Sequence, residues 1–301
     1  MSAVSIMDCI GQTPCLELQM KGGKVYAKAE FLNPGGSIKD RIIRHILDNA
    51  EAKGRLTRGM HIAEASSGNT GIALAMVGAA KGYQVTIFMP ENASVERQKM
   101  IRHLGATVVL TPAEKSVGGA VDALQKLISS NENIFTVGQF VNTENIQAHY
   151  RTTARELWED VSRDIDCFIS GIGSGGTLMG VGLYLKEQSP DINIVAVEPK
   201  GASALLGHAS ALHRIEGIGD GFIPEILQPD MISRIIEIDD ELAMQFASNL
   251  AKSHGVLAGI SSGANLAAAA LVAEEHPEWR IATILPDRAE RYFSTDLFGA
   301  L

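Results

Sequence analysis

Cysteine is scarce in this 301-residue sequence: Cys9, Cys15 and Cys167 make up the full count, and no two are spaced C-x-x-C. An odd count without ligand spacing argues against a disulfide framework or a zinc site; no metal and a reducing, cytoplasmic location are expected. Cys167 stands in the apolar run DCFISG and reads as a buried small hydrophobe. Long apolar stretches are missing too. IALAMVGAA and NLAAAALVA are too short to cross a bilayer. The N-terminal MSAVSIMDCIG lacks a basic region followed by a long apolar segment, so neither a signal peptide nor a membrane partner is expected. The sequon-like triplet Asn92-Ala93-Ser94 has no meaning without secretion. Basic residues are outnumbered, 26 Lys and Arg against 35 Asp and Glu, for a net charge of −9. That balance argues against nucleic acid or an anionic surface as partner, and leaves room for a local site that takes a small anion.

What is present is core-forming sequence: 46% hydrophobic residues against 20% charged. Such a chain buries a substantial interior, and its length suits two domains or one large α/β unit. Strand and helix patterns alternate. Val25, Ala27, Ala29 and Phe31 alternate with more polar neighbours as in a strand. Further strands are predicted near 60–65, 84–89, 106–110, 166–171, 192–197, 234–238 and 281–286. Helices are predicted near 38–52, 70–80, 94–104, 117–129, 144–162, 177–187, 240–253 and 262–275. This order predicts the α/β class, with mostly parallel twisted sheets flanked by crossover helices. A domain seam is expected near VNTEN at 141–145. In such folds ligands bind where strands lead into helices.

Four such junctions carry candidate chemistry. The first is Asn33-Pro34-Gly35-Gly36-Ser37-Ile38-Lys39-Asp40, a turn followed by a predicted Ser37–Asp40 capping pair. It places Lys39 in a first helical turn, where the helix dipole and burial favour a neutral amine suited to Schiff-base chemistry. A solvated lysine at a helix start is the plainer reading. The second is Glu64-Ala65-Ser66-Ser67-Gly68-Asn69-Thr70-Gly71, whose hydroxyls and backbone N–H groups suit a carboxylate, or simply cap a helix. The third, Gly171-Ile172-Gly173-Ser174-Gly175-Gly176-Thr177, lets backbone amides approach a phosphate. It also spells G-x-G-x-x-G with Glu198 at the end of the next strand, a dinucleotide pattern. The fourth, Gly259-Ile260-Ser261-Ser262-Gly263, reads by itself as a serine N-cap. His103, His208 and His213 read as solvated or structural.

Together these segments resemble the O-acetylserine sulfhydrylase (cysteine synthase, A/B-type) family of pyridoxal 5'-phosphate (PLP) enzymes, of the tryptophan-synthase-β fold type. The resemblance extends through IGQTP at 10–14, PENASVERQKM at 90–100, GIGDGFIP at 217–224 and LPDRAERYFSTDLF at 285–298. It implies a larger PLP-phosphate-binding domain of residues 1–34 and 144–301 and a smaller, mobile substrate-gripping domain of 35–143. It implies that Lys39 holds PLP as a Schiff base and that Asn69 bonds the phenolic oxygen of the cofactor. The resemblance further implies that Gly173, Ser174, Gly175, Gly176 and Thr177 cradle its phosphate, that Ser261 meets the pyridine nitrogen, and that Ser66, Ser67, Gly68, Asn69, Thr70 and Gln139 hold the substrate carboxylate. A serine opposite the ring nitrogen makes PLP a weaker electron sink, which suits prompt loss of a β-substituent.

The implied reaction turns O-acetylserine and sulfide, or thiosulfate, into cysteine and acetate. The implied assembly is a homodimer with serine acetyltransferase as a possible partner. Cystathionine β-synthase or a serine/threonine ammonia-lyase on the same fold is the alternative. A dinucleotide-dependent oxidoreductase is a remote one, and an idle relative serving as a binding subunit is a third. Ser66 stands where many relatives have Thr, after Ala65 instead of Pro, and Ala154-Arg155 replaces a usual Gly-Pro. GIGDGFIP is similar to the sulfide-using subtype, and AHYRTT at 148–153 to the subtype accepting bulkier nucleophiles.

Overall fold

The computed structural model describes residues 4–208 and 212–299; residues 1–3 of the N-terminal stretch expected to lack a signal peptide lie outside it. The chain forms two compact units: Met1–Ile10, Asn33–Gly138 and Arg291–Leu301 make one, Gly11–Leu32 and Gln139–Glu290 the other.

In the first unit, strands β3 (His61–Ala65), β4 (Gln84–Pro90), β5 (Thr107–Thr111) and the short β6 (Ile134–Phe135) form one sheet in the order β5-β4-β3-β6, with every pairing parallel. Parallel strands need helical crossovers, and α1 (Lys39–Ala52), α2 (Asn69–Lys81), α3 (Val95–His103) and α4 (Ser116–Ser130) belong to this unit. Strand β4 is buried on both faces along six of its seven residues. Helix α2 lies on the face carrying Val85 and Ile87. Any Cβ added at Gly78 would stand 2.4 Å from Val85, and one at Gly71 3.1 Å from Ile87. Helix α4 packs Ala120 and Leu124 against Ala63, Ala65 and Phe88 on the opposite face. A run apolar on both sides is what a sheet covered twice requires.

In the second unit, β1 (Cys15–Met20), β2 (Gly23–Lys28), β7 (Cys167–Gly171), β8 (Asn193–Pro199), β9 (Arg234–Ile238) and β10 (Ile281–Ile284) form a sheet ordered β1-β2-β10-β7-β8-β9. Only β1 runs antiparallel. Helices α5 (Glu144–Arg151), α6 (Thr153–Asp160), α7 (Gly176–Gln188), α8 (Asp240–His254) and α9 (Ile260–Glu275) belong to it. Thirteen of the sixteen residues of α9 are buried, as its unbroken Ala-rich sequence requires. Helices α8 and α9 meet so closely that a Cβ at Gly263 would lie 1.9 Å from the Ala243 carbonyl oxygen.

The α/β reading of the sequence therefore stands, with three local corrections. Strand β1 was not expected; it forms a hairpin with β2 through a turn in which Gly22 has φ +97°. The two-residue β6 was not expected either. The single helix predicted over 144–162 is two, broken at Thr152 (φ −122°, ψ −77°), whose hydroxyl donates to the Ala148 carbonyl at 2.7 Å. That side-chain bond competes with the helical ladder at a β-branched residue.

Candidate functional site

In the first unit, Lys39 is the first residue of α1 and is half-buried. The expected capping pair is not formed as predicted. The N-cap is Ile38, without a side-chain bond; Ser37 Oγ accepts from the Lys39 N–H at 3.3 Å, and Asp40 reaches back to accept from the Gly35 N–H at 2.6 Å. The buried Arg291 explains the difference, because its guanidinium donates to the carbonyls of both Gly35 and Gly36. The turn's carbonyls face Arg291, leaving its N–H for Asp40. Gly36 has φ +80°, a conformation open to glycine at little cost. Lys39 thus stands on a turn fastened by a buried cation and a buried anion.

Strand β3 ends at Ala65 and α2 starts at Asn69, with Gly68 as N-cap. Ser66 is buried, and its Oγ accepts from the N–H groups of Gly68 and Gly71, both at 3.2 Å. Its own hydroxyl hydrogen is left to donate outward. Asn69 and Thr70 are the first two residues of the helix. Thr70 is buried, Ser67 exposed, and Gly68 and Asn69 lie between these extremes. A loop with donors at the positive end of a helix is suited to a carboxylate. Beneath it, the Glu64 carboxylate accepts from the N–H groups of Ala65 (3.2 Å), Val137 (2.9 Å) and Gly138 (3.0 Å). Burial pushes its pKa up, against the opposing pull of these backbone donors. The Arg97 guanidinium, also buried, lies over the Tyr292 ring at 4.8 Å and against Gly68.

In the second unit, Gly173, Ser174 and Gly175 fill the turn between β7 and α7, and Gly176 and Thr177 open the helix. Gly175 has φ +82°. A Cβ at Gly173 would lie 2.4 Å from the Gly217 carbonyl oxygen, and one at Gly176 1.9 Å from Asn145 Oδ1. No side chain fits at either position, so the turn is a bare backbone cradle at a helix N-terminus. That fits a phosphate group and accords with PLP. Ser174 Oγ accepts from Asn145 Nδ2 at 2.9 Å, and Thr177 Oγ1 lies 3.2 Å from His149 Nε2. Gln139 is buried, and its carbonyl accepts from the same Asn145 Nδ2 at 2.9 Å. Ser261 is buried in the first turn of α9, whose N-cap is Gly259, so it is not the capping residue its own segment suggested.

One sequence feature is absorbed elsewhere. Glu198, the would-be ribose acid of a dinucleotide site, is buried and accepts from Ser203 Oγ, Ala204 N–H and Leu205 N–H at 2.5, 3.1 and 3.3 Å. It caps its own loop. An open pocket of about 410 Å³, lined in part by Lys28, Arg155, Glu156 and Asp160, includes none of the expected site residues. Within it Lys28 lies 2.6 Å from Asp160 and 3.1 Å from Glu156. Glu64, Asn145, His149 and Arg291 went unassigned in the sequence; a polar residue in each motif was visible, but not its distant partner.

The family described as pyridoxal-phosphate dependent enzyme matches residues 6–287. Cysteine synthase B of Campylobacter jejuni is 44% identical over 294 residues, covering 98% of each chain. A cysteine synthase of Staphylococcus aureus is 41% identical over 301 residues, covering 98% of this chain and 97% of the relative. The crystal structure of cysteine synthase from Entamoeba histolytica superposes with a TM-score of 0.96 at 40% identity, covering 100% of this chain and 92% of that one.

Proposed function

The chain belongs to the pyridoxal-phosphate dependent enzyme family, and on that premise we propose that it is an O-acetylserine sulfhydrylase, which replaces the acetoxy group of O-acetylserine with sulfide to give cysteine and acetate. The observation that carries the cofactor part of the reading is the bare glycine cradle at the start of α7, where Gly173 and Gly176 admit no side chain. The full-length relatives named cysteine synthase support it.

When bound, PLP draws electrons from the substrate's α-carbon, acidifying its proton and easing loss of the β-substituent. The chain's residues do the rest. Backbone N–H groups and hydroxyls of Gly173, Ser174, Gly175, Gly176 and Thr177 hold the phosphate. Ser261 would meet the ring nitrogen with a neutral hydroxyl, and Asn69 would bond the phenolic oxygen. Lys39 would hold the cofactor through Nζ and, once free of it, would take the substrate's α-proton at that nitrogen as general base. Ser66, Ser67, Gly68, Asn69, Thr70 and Gln139 orient the substrate by its carboxylate, so that the acetoxy group departs from a fixed geometry. Sulfide would take the place of the departed acetoxy group at the β-carbon, and Lys39 Nζ would return the proton to the α-carbon. A homodimer, docking by serine acetyltransferase and a cytoplasmic location belong to the same reading.

Product analysis tests it. O-acetylserine and sulfide should yield cysteine and acetate in equal amounts. Cystathionine from homocysteine with no cysteine from sulfide, or ammonia and a keto acid alone, would replace this reading with a sister activity on the same fold.

A further inference from the structure

We infer that Asn145 is a positioning residue that ties the holder of the amino-acid carboxylate to the holder of the cofactor phosphate; the inference rests on the functional reading above. Asn145 and His149 are four residues apart on α5 and so share one face. Both are buried, at 0% and 1% exposure. Asn145 Nδ2 donates to the Gln139 carbonyl and to Ser174 Oγ, both at 2.9 Å. A carbonyl can only accept, which fixes the amide's orientation: the atom facing Gln139 is the nitrogen. The same nitrogen then makes Ser174 Oγ an acceptor and leaves the serine's hydrogen to donate to an anion. One amide therefore sets the backbone from which Gln139 projects and the polarity of the Ser174 hydroxyl.

Packing alone does not account for an asparagine here. Asn145 Oδ1 is buried without a hydrogen-bond partner among the described residues. Burying such an atom is costly. It also excludes any side chain at Gly176, where a Cβ would lie 1.9 Å away. His149 bears on the phosphate side through Thr177. Its Nδ1 lies 2.9 Å from Thr153 Oγ1 and its Nε2 3.2 Å from Thr177 Oγ1. In the tautomer with the hydrogen on Nε2, Thr153 donates to Nδ1, the Nε2–H donates to Thr177, and the threonine's own hydrogen is free for the phosphate.

The two residues make different predictions, and equilibrium binding separates them. PLP affinity is measured by fluorescence on reconstitution. Affinity for L-alanine, which has no β-leaving group, is measured by calorimetry on the holoenzyme with PLP in excess. Asn145→Ala should weaken both by roughly tenfold, the loss of one buried hydrogen bond at each site. His149→Gln should weaken PLP alone and leave alanine binding unchanged. Asn145→Asp keeps the side chain's volume and sets an acceptor against the Gln139 carbonyl; if the alanine variant does not fold, this one carries the same expectation. The inference is overturned if the Asn145 variants change one affinity and not the other, or if His149→Gln moves both. Wild type that binds neither ligand would refute the functional reading, and this inference with it.

Discussion

The Glu64 carboxylate accepts the Gly138 N–H at 3.0 Å and, with the same oxygen, the Val137 N–H at 2.9 Å. Its other oxygen accepts the Ala65 N–H at 3.2 Å. A single buried side chain thus fastens the segment leading to Gln139 to the root of the Ser66–Thr70 loop. Two consequences for stability follow from the burial.

Glu64→Ala strips acceptors from three backbone N–H groups. The loss in unfolding free energy should be about 3 kcal/mol or more by denaturant titration. A loss within 0.5 kcal/mol would mean that solvent or a shifted backbone satisfies those groups.

Burial raises the Glu64 pKa above its ordinary value. A carboxyl whose pKa is higher folded than unfolded holds more protons in the native state between the two values, so its contribution to stability falls as pH rises through that window. The window opens near the unfolded value of about 4.3 and extends upward. Wild type should therefore lose stability relative to Glu64→Gln as pH is raised from about 4.3 toward neutrality. A difference that is flat with pH, or that moves in favour of wild type, would contradict this.

Thiol reactivity should be confined to one site. Burial pushes the Cys167 thiol up to about 12. Burial and, less strongly, the Asp160 charge push Cys15 up to about 12 as well. At pH 8 each is then a thiolate in about one molecule in ten thousand. Cys9 is exposed. Brief alkylation of the native protein followed by peptide mass spectrometry should label Cys9 alone; comparable labelling of Cys167 would show that β7 opens.

Much of this was legible in the sequence because the deciding interactions were local. Helix α7 was expected at 177–187 and spans Gly176–Gln188, since apolar spacing and the glycine run mark both its body and its start. The strand-to-helix order placed the segments before α1, α2 and α7 for the same reason, whereas Gly259–Gly263 opens α9 after helix α8 with no strand between. What escaped depends on distant partners. Arg291 reaches the turn before Lys39 from 255 and 256 residues away, and Glu64 reaches Val137 across 73. No local pattern encodes such pairs. Strand β1 carried a usable signal, Leu16, Leu18 and Met20 in alternation before a glycine turn, but without β-branched residues it does not read strongly as a strand. The break at Thr152 depends on a hydroxyl choosing a backbone carbonyl over solvent, which spacing alone does not reveal.

The central claim is that Lys39 anchors PLP in an enzyme that exchanges acetate for sulfide. The visible absorption spectrum of the PLP-loaded protein tests it most directly. Wild type should show a visible cofactor band that shifts on addition of O-acetylserine and recovers on addition of sulfide, while Lys39→Ala should lack the band and turn over no substrate. No visible band in wild type supplied with PLP, or full turnover by Lys39→Ala, would contradict the account.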